Sequence, residues 1–245
     1  MSKLGLLGKN IDYSFSRGYF TKKFKAEGLP FTYDNFDLDS ISEFPRLIDQ
    51  NPDIVAMNVT IPYKEAVIPF LHDLDETAQN IGAVNTIKIL NNRRFKGYNT
   101  DYYGFQKSIS PLLENHHQNA LILGTGGASK AIAYALNLMD ISFDYVSRSK
   151  KKGIKYDYGS LNSEILSKYQ IIINCTPLGT YPELDLHPNI PYSGISSQHL
   201  LFDLIYNPEE TEFLKRGKSN GATICNGSNM LKYQADLAWK IWNLT

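Results

Sequence analysis

The segment Asn58-Val59-Thr60-Ile61-Pro62-Tyr63-Lys64 places one lysine shortly after an apolar run at residues 54–57. The run predicts a strand, and Pro62 fits the first turn of a following helix, where no N–H is needed. Lys64 would then lie near the positive end of the helix dipole, which disfavours a cation. Lysines with altered pKa values serve as acid/base groups, so Lys64 is a candidate for proton transfer. On this residue alone, a solvated surface lysine is the simpler interpretation.

Asp101 is a second candidate for proton chemistry. It ends the segment Gly97-Tyr98-Asn99-Thr100-Asp101, where a predicted hairpin gives way to a helix. An aspartate at a break between domains would face an interdomain cleft, which is a preferred place for ligand sites. Asp also suits a helix N-cap, and both roles can coexist. If Asp101 meets Lys64, the pair offers a proton donor and a group that holds it in place. The aspartate would raise the lysine pKa, and the helix N-terminus would lower it. The sequence leaves that balance open.

Hydroxyl and amide side chains form a third group of candidates. Ser14 and Ser16 follow the first predicted strand, and alternate residues of an extended loop point the same way, so two hydroxyls could bind a carboxylate. Asn85 is a polar residue in a predicted strand and could bond a hydroxyl-rich ligand. Gln234 lies in the apolar stripe of the C-terminal helix, so its amide needs a partner in the backbone or in a ligand.

A glycine-rich turn, Gly124-Thr125-Gly126-Gly127-Ala128-Ser129, follows a predicted strand and opens a predicted helix. Glycines let the backbone approach a pyrophosphate, and the helix N-terminus attracts its charge, so a dinucleotide site is predicted, with a tight strand–helix turn as the alternative. NAD sites usually carry an acidic residue about 20 residues further on. Here the next strand ends in Ser147-Arg148-Ser149-Lys150. A guanidinium with neighbouring hydroxyls suits a 2′-phosphate, which favours NADP over NAD.

Alternating strands and helices must position these residues. Strands are predicted at residues 3–7, 31–36, 54–57, 83–90, 93–98, 120–123, 143–146, 171–174 and 200–203. Helices are predicted at residues 15–27, 39–48 with Asp39 as N-cap, 62–71, 102–108, 130–139 and from Ser228 onward. Asn91-Asn92 predicts a hairpin turn, and residues 182–194 predict a loop. The second half of this pattern is typical of a parallel sheet with helices on its faces.

Composition sets outer limits on function. The 245 residues exceed one average domain, and a hydrophobic content of 42% with 20% charged residues supports packed cores, so we place a domain break near Asp101. A net charge of zero with no basic run argues against a nucleic-acid partner. No apolar run approaches the ~20 residues of a membrane span. The two cysteines do not form a disulfide framework, which favours the cytoplasm, and the five histidines lack metal-ligand spacing, so no metal is expected.

Together, these motifs resemble the shikimate dehydrogenase family. The matching segments, in family order, are Gly5-Leu6-Leu7-Gly8 with Ser14-Phe15-Ser16, Asn58-Val59-Thr60-Ile61-Pro62-Tyr63-Lys64, Gly82-Ala83-Val84-Asn85-Thr86, Asn99-Thr100-Asp101-Tyr102-Tyr103-Gly104, Gly124 to Ser129, Ser147-Arg148-Ser149, Asn174-Cys175-Thr176-Pro177-Leu178-Gly179, Asp203-Leu204-Ile205-Tyr206-Asn207-Pro208, and Gly227 through Met230-Leu231 to Gln234. They cover nearly the whole chain. The second and third segments are specific, whereas the glycine loop is not.

The resemblance implies an α/β enzyme that reduces the ring ketone of 3-dehydroshikimate to shikimate with NADPH, in the route through chorismate to aromatic amino acids. Lys64 and Asp101 would handle the proton on the reacting oxygen, and hydride would come from the nicotinamide. Residues 1–101 would form an N-terminal substrate domain with a mostly parallel sheet, and residues 102–227 a Rossmann-like NADP-binding domain. Residues 228–245 would return to the first domain. The implied partner is a small-molecule substrate, with no nucleic acid and no membrane, and the implied assembly is a monomer or homodimer.

The same resemblance assigns the remaining residues. Ser14 and Ser16 would hold the substrate carboxylate. The ring hydroxyls would be bonded, or their pocket lined, by Thr60, Asn85, Asp101, Tyr206 and Gln234, with Asn58 in support. NADP would be held by Gly124, Gly126, Gly127 and Ala128 of the glycine loop and by Ser147, Arg148, Ser149 and Lys150. Glu76, Leu204 and Gly227 match positions near the cofactor.

Some positions depart from the family pattern, and some alternatives stay open. The family usually has His-Ser-x-Ser-Pro where this chain has Tyr13-Ser14-Phe15-Ser16-Arg17, and Thr180 replaces a frequent methionine. A quinate or quinate/shikimate dehydrogenase is the nearest alternative. A non-catalytic NADP-binding sensor on the same fold is another, although the intact Lys64 and Asp101 argue against it. A folate-linked dehydrogenase does not account for the serine pair together with Gly-Ala-Val-Asn-Thr.

Overall fold

The computed structural model describes residues 2–12, 14–149 and 153–243, so Tyr13 and Lys150 lie outside the described residues. The chain divides into two compact units. We call Met1–Thr100 with Ala235–Thr245 the N-terminal unit and Asp101–Gln234 the central unit. Each unit contains its own six-stranded sheet with helices, so the predicted α/β class is confirmed. Within the described ranges, no helix is long and apolar enough to cross a membrane.

The sheet of the N-terminal unit is mixed. Its strands are β1 (Ser2–Gly8), β2 (Phe31–Asp37), β3 (Ile54–Val59), β4 (Asp73–Leu74), β5 (Thr86–Ile89) and β6 (Phe95–Tyr98). They lie in the order β2-β1-β3-β5-β6-β4. β2, β1 and β3 are parallel, whereas β5 is antiparallel to both β3 and β6. The first residue of β5 therefore lies at the sheet edge where β3 ends.

The helices of this unit differ from prediction in two places. They are α1 (Phe15–Glu27), α2 (Phe44–Gln50), α3 (Tyr63–Ala66) and α4 (Glu76–Ile81). The predicted cap at Asp39 is wrong, because Ser40 caps a 3-10 turn that precedes α2. The predicted helix at 62–71 is also wrong: α3 is a single turn that begins after Pro62, and a second 3-10 turn follows. Pro69 lacks the N–H that a continuous α-helix would use there.

The predicted hairpin is confirmed. β5 and β6 pair antiparallel, with Thr86 opposite Tyr98. The connection uses positive φ values of 61° at Asn92 and 59° at Arg93, one residue later than the sequence indicates. Asn is among the residues that tolerate this conformation best.

The C-terminal helix α9 (Ser228–Asn243) belongs to the N-terminal unit from Ala235 onward. Trp242 donates from its indole N–H to the carbonyl of Ile87 at 3.1 Å, and Lys88 Nζ donates to the carbonyl of Ile241 at 3.0 Å. Trp239 and Trp242 also pack on the core of α1 and β1. These contacts confirm the predicted return of the C-terminal helix to the first part of the chain.

The central unit has a wholly parallel sheet. Its strands are β7 (Asn119–Leu123), β8 (Ser142–Ser147), β9 (Tyr156–Asp157), β10 (Ile171–Asn174), β11 (Leu200–Asp203) and β12 (Thr223–Cys225), in the order β12-β11-β10-β7-β8-β9. The chain adds strands on one side of β7 and then returns to add β10, β11 and β12 on the other. This is the Rossmann order, and ligands of such sheets bind at the carboxyl ends of the strands, where the order reverses.

The helices of the central unit are α5 (Asp101–Ile109), α6 (Gly127–Leu138), α7 (Ser163–Leu166) and α8 (Glu212–Ser219). The inner strands are buried on both faces, because Leu121 and Ile172 pack into one core cluster and Ile122 and Ile173 into another. Such strands consist of continuous apolar residues. This explains why the sequence revealed β7, β10 and β11. The sequence analysis predicted neither α7 nor α8, because neither helix contains a continuous apolar run.

Asp203 is a buried carboxylate at the end of β11. It accepts hydrogen bonds from Asn174 Nδ2 at 3.0 Å, from the Ile205 N–H at 3.0 Å and from Thr211 Oγ1 at 2.6 Å. Burial raises the pKa of Asp203 to about 6, although these hydrogen bonds oppose the shift. The carboxylate therefore ties the end of β10 and the start of α8 to β11.

We expect Thr211→Val to destabilise the protein more at pH 8 than at pH 5. A folded-state pKa of about 6, above the ordinary 3.8, means that Asp203 contributes stability at low pH that is lost as the pH rises between these values. Removing the Thr211 donor from the ionised carboxylate costs about 1–3 kcal/mol at pH 8 and less when Asp203 is protonated. The lost cap on α8 costs the same at both values. The measurement is urea denaturation at each pH.

Thr223→Val is the matched control, because Thr223 is exposed on β12 and the same change should leave the free energy of unfolding nearly unaltered. Equal losses for Thr211→Val at pH 5 and pH 8 would contradict the assigned carboxylate bond.

Candidate active site

One edge of the N-terminal sheet gathers four of the predicted site residues. Thr60 follows β3, and its N–H donates to the Leu7 carbonyl at 2.9 Å. Asn85 precedes β5, and its carbonyl accepts from the Val59 N–H at 2.8 Å. The carbonyl of Lys64 accepts from the Val84 N–H at 2.7 Å, next to Asn85. Asn58 lies in β3 opposite Thr86 of β5. Backbone pairing therefore brings these four residues together.

A buried hydrogen-bond network connects the two asparagines. Asn58 Nδ2 donates to the Asn85 carbonyl and to Thr86 Oγ1, both at 3.3 Å. Asn85 Oδ1 accepts from the Thr100 N–H at 2.7 Å, and Asn85 Nδ2 donates to Thr100 Oγ1 at 2.9 Å. Both amides are almost completely buried. Bonds of this kind fix the orientation of each carboxamide, so the edge is a rigid polar surface.

The serine pair does not lie in an extended loop, so that prediction is wrong. Ser14 is the N-cap of α1, and its hydroxyl oxygen accepts from the Arg17 N–H at 3.4 Å. Ser16 is a buried residue in the first turn of the same helix. Capping explains the difference, because an α-helix needs a side-chain acceptor for its first N–H groups. The bond to Arg17 does not use the hydroxyl hydrogen of Ser14.

Lys64 lies where the sequence placed it, in the helical turn that follows β3, and it is half-buried. The dipole of α3 does not explain acid/base chemistry at Lys64, because this helix has only four residues. A helix dipole grows with aligned peptide units, so a single turn provides little field.

Asp101 and Gln234 are buried residues of the central unit on helices that contact each other. Asp101 is the first residue of α5, and Gln234 lies in α9, where its Nε2 donates to the Leu231 carbonyl at 2.9 Å. A Cβ added to Gly104 would lie 2.5 Å from the Met230 carbonyl oxygen and 3.1 Å from Gln234 Cβ. Only glycine permits this close approach of α5 to α9. Tyr206, half-buried, follows β11 in the same unit.

The glycine loop forms the turn between β7 and α6. Gly124 has a φ of +105° and its N–H donates to the Val146 carbonyl at 2.9 Å, so a side chain there would be strained. Gly126 is the N-cap of α6 with an ordinary φ of −84°, and a Cβ there would meet nothing within 4 Å. Gly127 and Ala128 open α6, and Ser129 Oγ donates back to the Gly126 carbonyl at 2.7 Å. An alanine side chain at Gly126 would therefore clash with no atom of the protein itself.

The turn after β8 contains Arg148, the side chain predicted to bind a 2′-phosphate. Ser147 is buried and its hydroxyl donates to the Ser149 carbonyl, while Arg148 and Ser149 are exposed. Burial raises the pKa of Tyr158 to about 12, and the positive charge of Arg148 opposes that rise, so the two side chains lie within electrostatic range. The predicted Lys150 lies outside the described residues.

Three further predicted residues fall into two groups. Gly227 packs on Leu204, because a Cβ at Gly227 would lie 2.2 Å from the Leu204 carbonyl oxygen. Both belong to the central unit, as does the glycine loop. Glu76 is instead an exposed residue of the N-terminal unit, in the first turn of α4. Among the residues that the structure describes, no group of three or more His, Cys, Asp or Glu side chains could hold a metal ion.

Sequence reasoning missed three members of the buried network, namely Tyr33, Thr86 and Thr100. Thr86 and Thr100 stand beside Asn85 and Asp101 in segments that had already been singled out. Tyr33 gave a weaker signal, because it is one of three aromatic residues in β2 and its partner Asn58 is distant in sequence. Tyr33 donates to Asn58 Oδ1 at 2.7 Å.

The comparisons with known proteins agree with this architecture. Residues 6–87 match the model of the shikimate dehydrogenase substrate binding domain. A shikimate dehydrogenase (NADP(+)) of Clostridium botulinum is 38% identical over 100% of this chain and 97% of its own length. The crystal structure of Thermus thermophilus shikimate 5-dehydrogenase in complex with NADP(H) and shikimate is 27% identical, with a TM-score of 0.87 over 99% of this chain and 94% of its own.

A quinate dehydrogenase of Corynebacterium glutamicum, solved in complex with NAD, has the same fold, with a TM-score of 0.85 and 25% identity over 99% of this chain and 93% of its own. The fold is thus shared by enzymes with different substrates. Identity of 38% over the full length is sufficient to assign the family. The chain belongs to the shikimate dehydrogenase family.

Proposed function

We propose that this protein is an NADP-dependent shikimate dehydrogenase, which reversibly reduces 3-dehydroshikimate to shikimate in the route through chorismate to aromatic amino acids. One observation carries the proposal: a rigid, buried network of hydroxyl and amide groups ends at the sheet edge that also holds Lys64. A polyhydroxylated ring acid is the kind of ligand that such a surface recognises, because its hydroxyls both donate and accept. The relative from Clostridium botulinum carries the same activity in its name.

The proton chemistry is assigned to Lys64 and Asp101. Reduction of the ketone adds a hydride to the ring carbon and a proton to the ring oxygen. In our assignment Lys64 provides that proton, and in the reverse direction it accepts the proton of the shikimate hydroxyl. Asp101 would orient the lysine ammonium and bond the same region of the ring. Asn85, Thr60, Tyr206 and Gln234 would bond the ring hydroxyls or line their pocket.

The carboxylate of the substrate is assigned to Ser14 and Ser16. Ser14 suits this role because the hydrogen of its hydroxyl is not used in the bond from Arg17. Both serines lie at the start of α1, close in sequence to the end of β1. Asn58, whose amide is committed to Tyr33, Asn85 and Thr86, supports the site and does not bond the ring directly.

The residues of the glycine loop fit a dinucleotide. The twelve-residue α6 begins at the carboxyl end of β7, and Gly126 leaves its N-terminal N–H groups uncovered by a side chain. Gly124, Gly126, Gly127 and Ala128 would hold the pyrophosphate, and Ser147, Arg148, Ser149 and Lys150 the 2′-phosphate. Leu204 and Gly227 would lie near the cofactor, and Glu76 is assigned to the same ligand on resemblance alone. NADPH, when bound, supplies the hydride.

The partners in this proposal are small molecules, and the assembly is a monomer or homodimer. Cys175 and Cys225 are not in a disulfide, which fits a reducing compartment such as the cytoplasm.

We expect the purified protein to reduce NADP+ when shikimate is supplied, and to do so faster than with NAD+ or with quinate. Arg148 favours the 2′-phosphate, and quinate brings one more ring hydroxyl to a surface whose hydrogen bonds are already fixed. The measurement is the absorbance of reduced nicotinamide with each of the four substrate and cofactor pairs. An absence of shikimate turnover with both cofactors would overturn the proposal, and a preference for quinate would establish the quinate enzyme in its place.

We expect Gly126→Ala to weaken NADPH binding about tenfold while leaving stability within about 0.5 kcal/mol, because its Cβ meets no protein atom but would stand where the backbone must approach the pyrophosphate. Fluorescence titration with NADPH and a thermal melt measure the two effects. Gly18→Ala is the matched control, since Gly18 is an exposed glycine in α1 whose Cβ also meets nothing. Unchanged NADPH affinity in folded Gly126→Ala would contradict the assigned role of the loop.

A further inference from the structure

Tyr33 occupies a fixed position in the interior of the N-terminal unit. It lies in β2 with 4% of its surface exposed. Its ring stacks on Phe20 of α1, with 4.8 Å between ring centroids and 12° between planes. Stacking and burial together leave the phenol one orientation, so its hydroxyl is directed at the same partners at all times.

The hydroxyl of Tyr33 bonds to Asn58. The Asn85 carbonyl can only accept, so the Asn58 carboxamide must direct its Nδ2 there and its Oδ1 toward Tyr33. Tyr33 has a single hydroxyl hydrogen, and Asn58 Oδ1 receives it at 2.7 Å. The orientation of the Asn58 carboxamide is therefore fixed from both of its ends.

These directions produce one continuous chain of hydrogen bonds. It runs from Tyr33 to Asn58, and from there to the Asn85 carbonyl and Thr86. Burial raises the pKa of Tyr33 far above its usual range, so the phenol remains a donor at every pH the protein survives. Tyr33 thus sets the Asn58 carboxamide, which in turn contacts the backbone of Asn85.

We propose that Tyr33 is a positioning residue of the substrate site, which holds the Asn58–Asn85 pair in the geometry that binds the ring acid. This inference rests on the proposed function, because it assigns Tyr33 to the subsite that recognises shikimate. Tyr33 is buried and acts through Asn58. Loss of its hydroxyl leaves Asn58 Oδ1 without its donor, while the ring keeps its place against Phe20.

The test is Tyr33→Phe in the full chain, assayed with shikimate and NADP+. We expect the KM for shikimate to rise about tenfold, the KM for NADP+ to stay within twofold, and kcat to change less than the shikimate KM. Tyr19→Phe is the matched control, because Tyr19 also contacts Phe20 but donates to Asp236, outside the chain of bonds. It should leave all three parameters unchanged. An unchanged shikimate KM in folded Tyr33→Phe, or equal changes in both KM values, would overturn the inference.

Two further variants keep the test decisive. Thr86→Val breaks the same chain at its other end and should also raise the shikimate KM alone, so it replaces Tyr33→Phe if that variant does not fold. In a Thr86→Val background the effect of Tyr33→Phe should shrink, since both residues act through Asn58; additive effects would contradict the proposal. Failure of the proposed function gives a different result, because the unmodified protein itself would then not turn over shikimate.

Discussion

The antiparallel pairing of β5 with β3 is the constraint on which the candidate site depends. Asn58 faces Thr86 in that register, and Asn85, the residue before Thr86, lies beside Val59 at the end of β3. A parallel β5 would carry Asn85 to the opposite edge of the sheet. A slip of one residue would turn Thr86 away from Asn58, because neighbouring residues of a strand point to opposite faces. One backbone pairing therefore brings the asparagines, Thr60 and Lys64 together.

Buried polar groups stabilise such an arrangement only when each has a partner. In the N-terminal unit, Tyr33, Asn58 and Asn85 satisfy one another across strands that are distant in sequence. In the central unit, Asp203 does the same for Asn174 and Thr211. The first network joins β2, β3 and the start of β5, and the second lies at the ends of β10 and β11. The polar interior thus fixes the segments that carry the proposed chemistry.

Much of this fold was predictable, because its signals are local. The bounds of α1, the hairpin at Asn92 and the apolar strands of the central sheet follow from periodicity and turn residues. The errors share one cause. Each depends on which backbone N–H groups find an acceptor, and several residue types can provide that acceptor equally well. The cases are Ser14 as a helix cap, Ser40 as a cap in place of Asp39, and the end of the helical turn before Pro69.

The candidate site was predictable as a set of residues and not as a geometry. Motif spacing identified Lys64, Asn85 and the glycine loop, but the Asn58 carboxamide is oriented by Tyr33 in another strand. Gly124 and Gly126 look alike in sequence, yet only Gly124 has a positive φ that requires glycine. Such distinctions arise from contacts between segments far apart in the chain, which local patterns do not encode.

The central claim is that the polar sheet edge binds the ring acid while Lys64 handles its proton. The most direct measurement compares Lys64→Ala with the unmodified protein and with Lys22→Ala, an exposed lysine of α1. Turnover is followed with shikimate and NADP+, and shikimate affinity is titrated in the presence of NADPH, which shikimate cannot oxidise. The account predicts that kcat falls by about 10²–10⁴-fold in Lys64→Ala alone, with shikimate affinity nearly retained. Lost shikimate binding with intact turnover per bound substrate would contradict it.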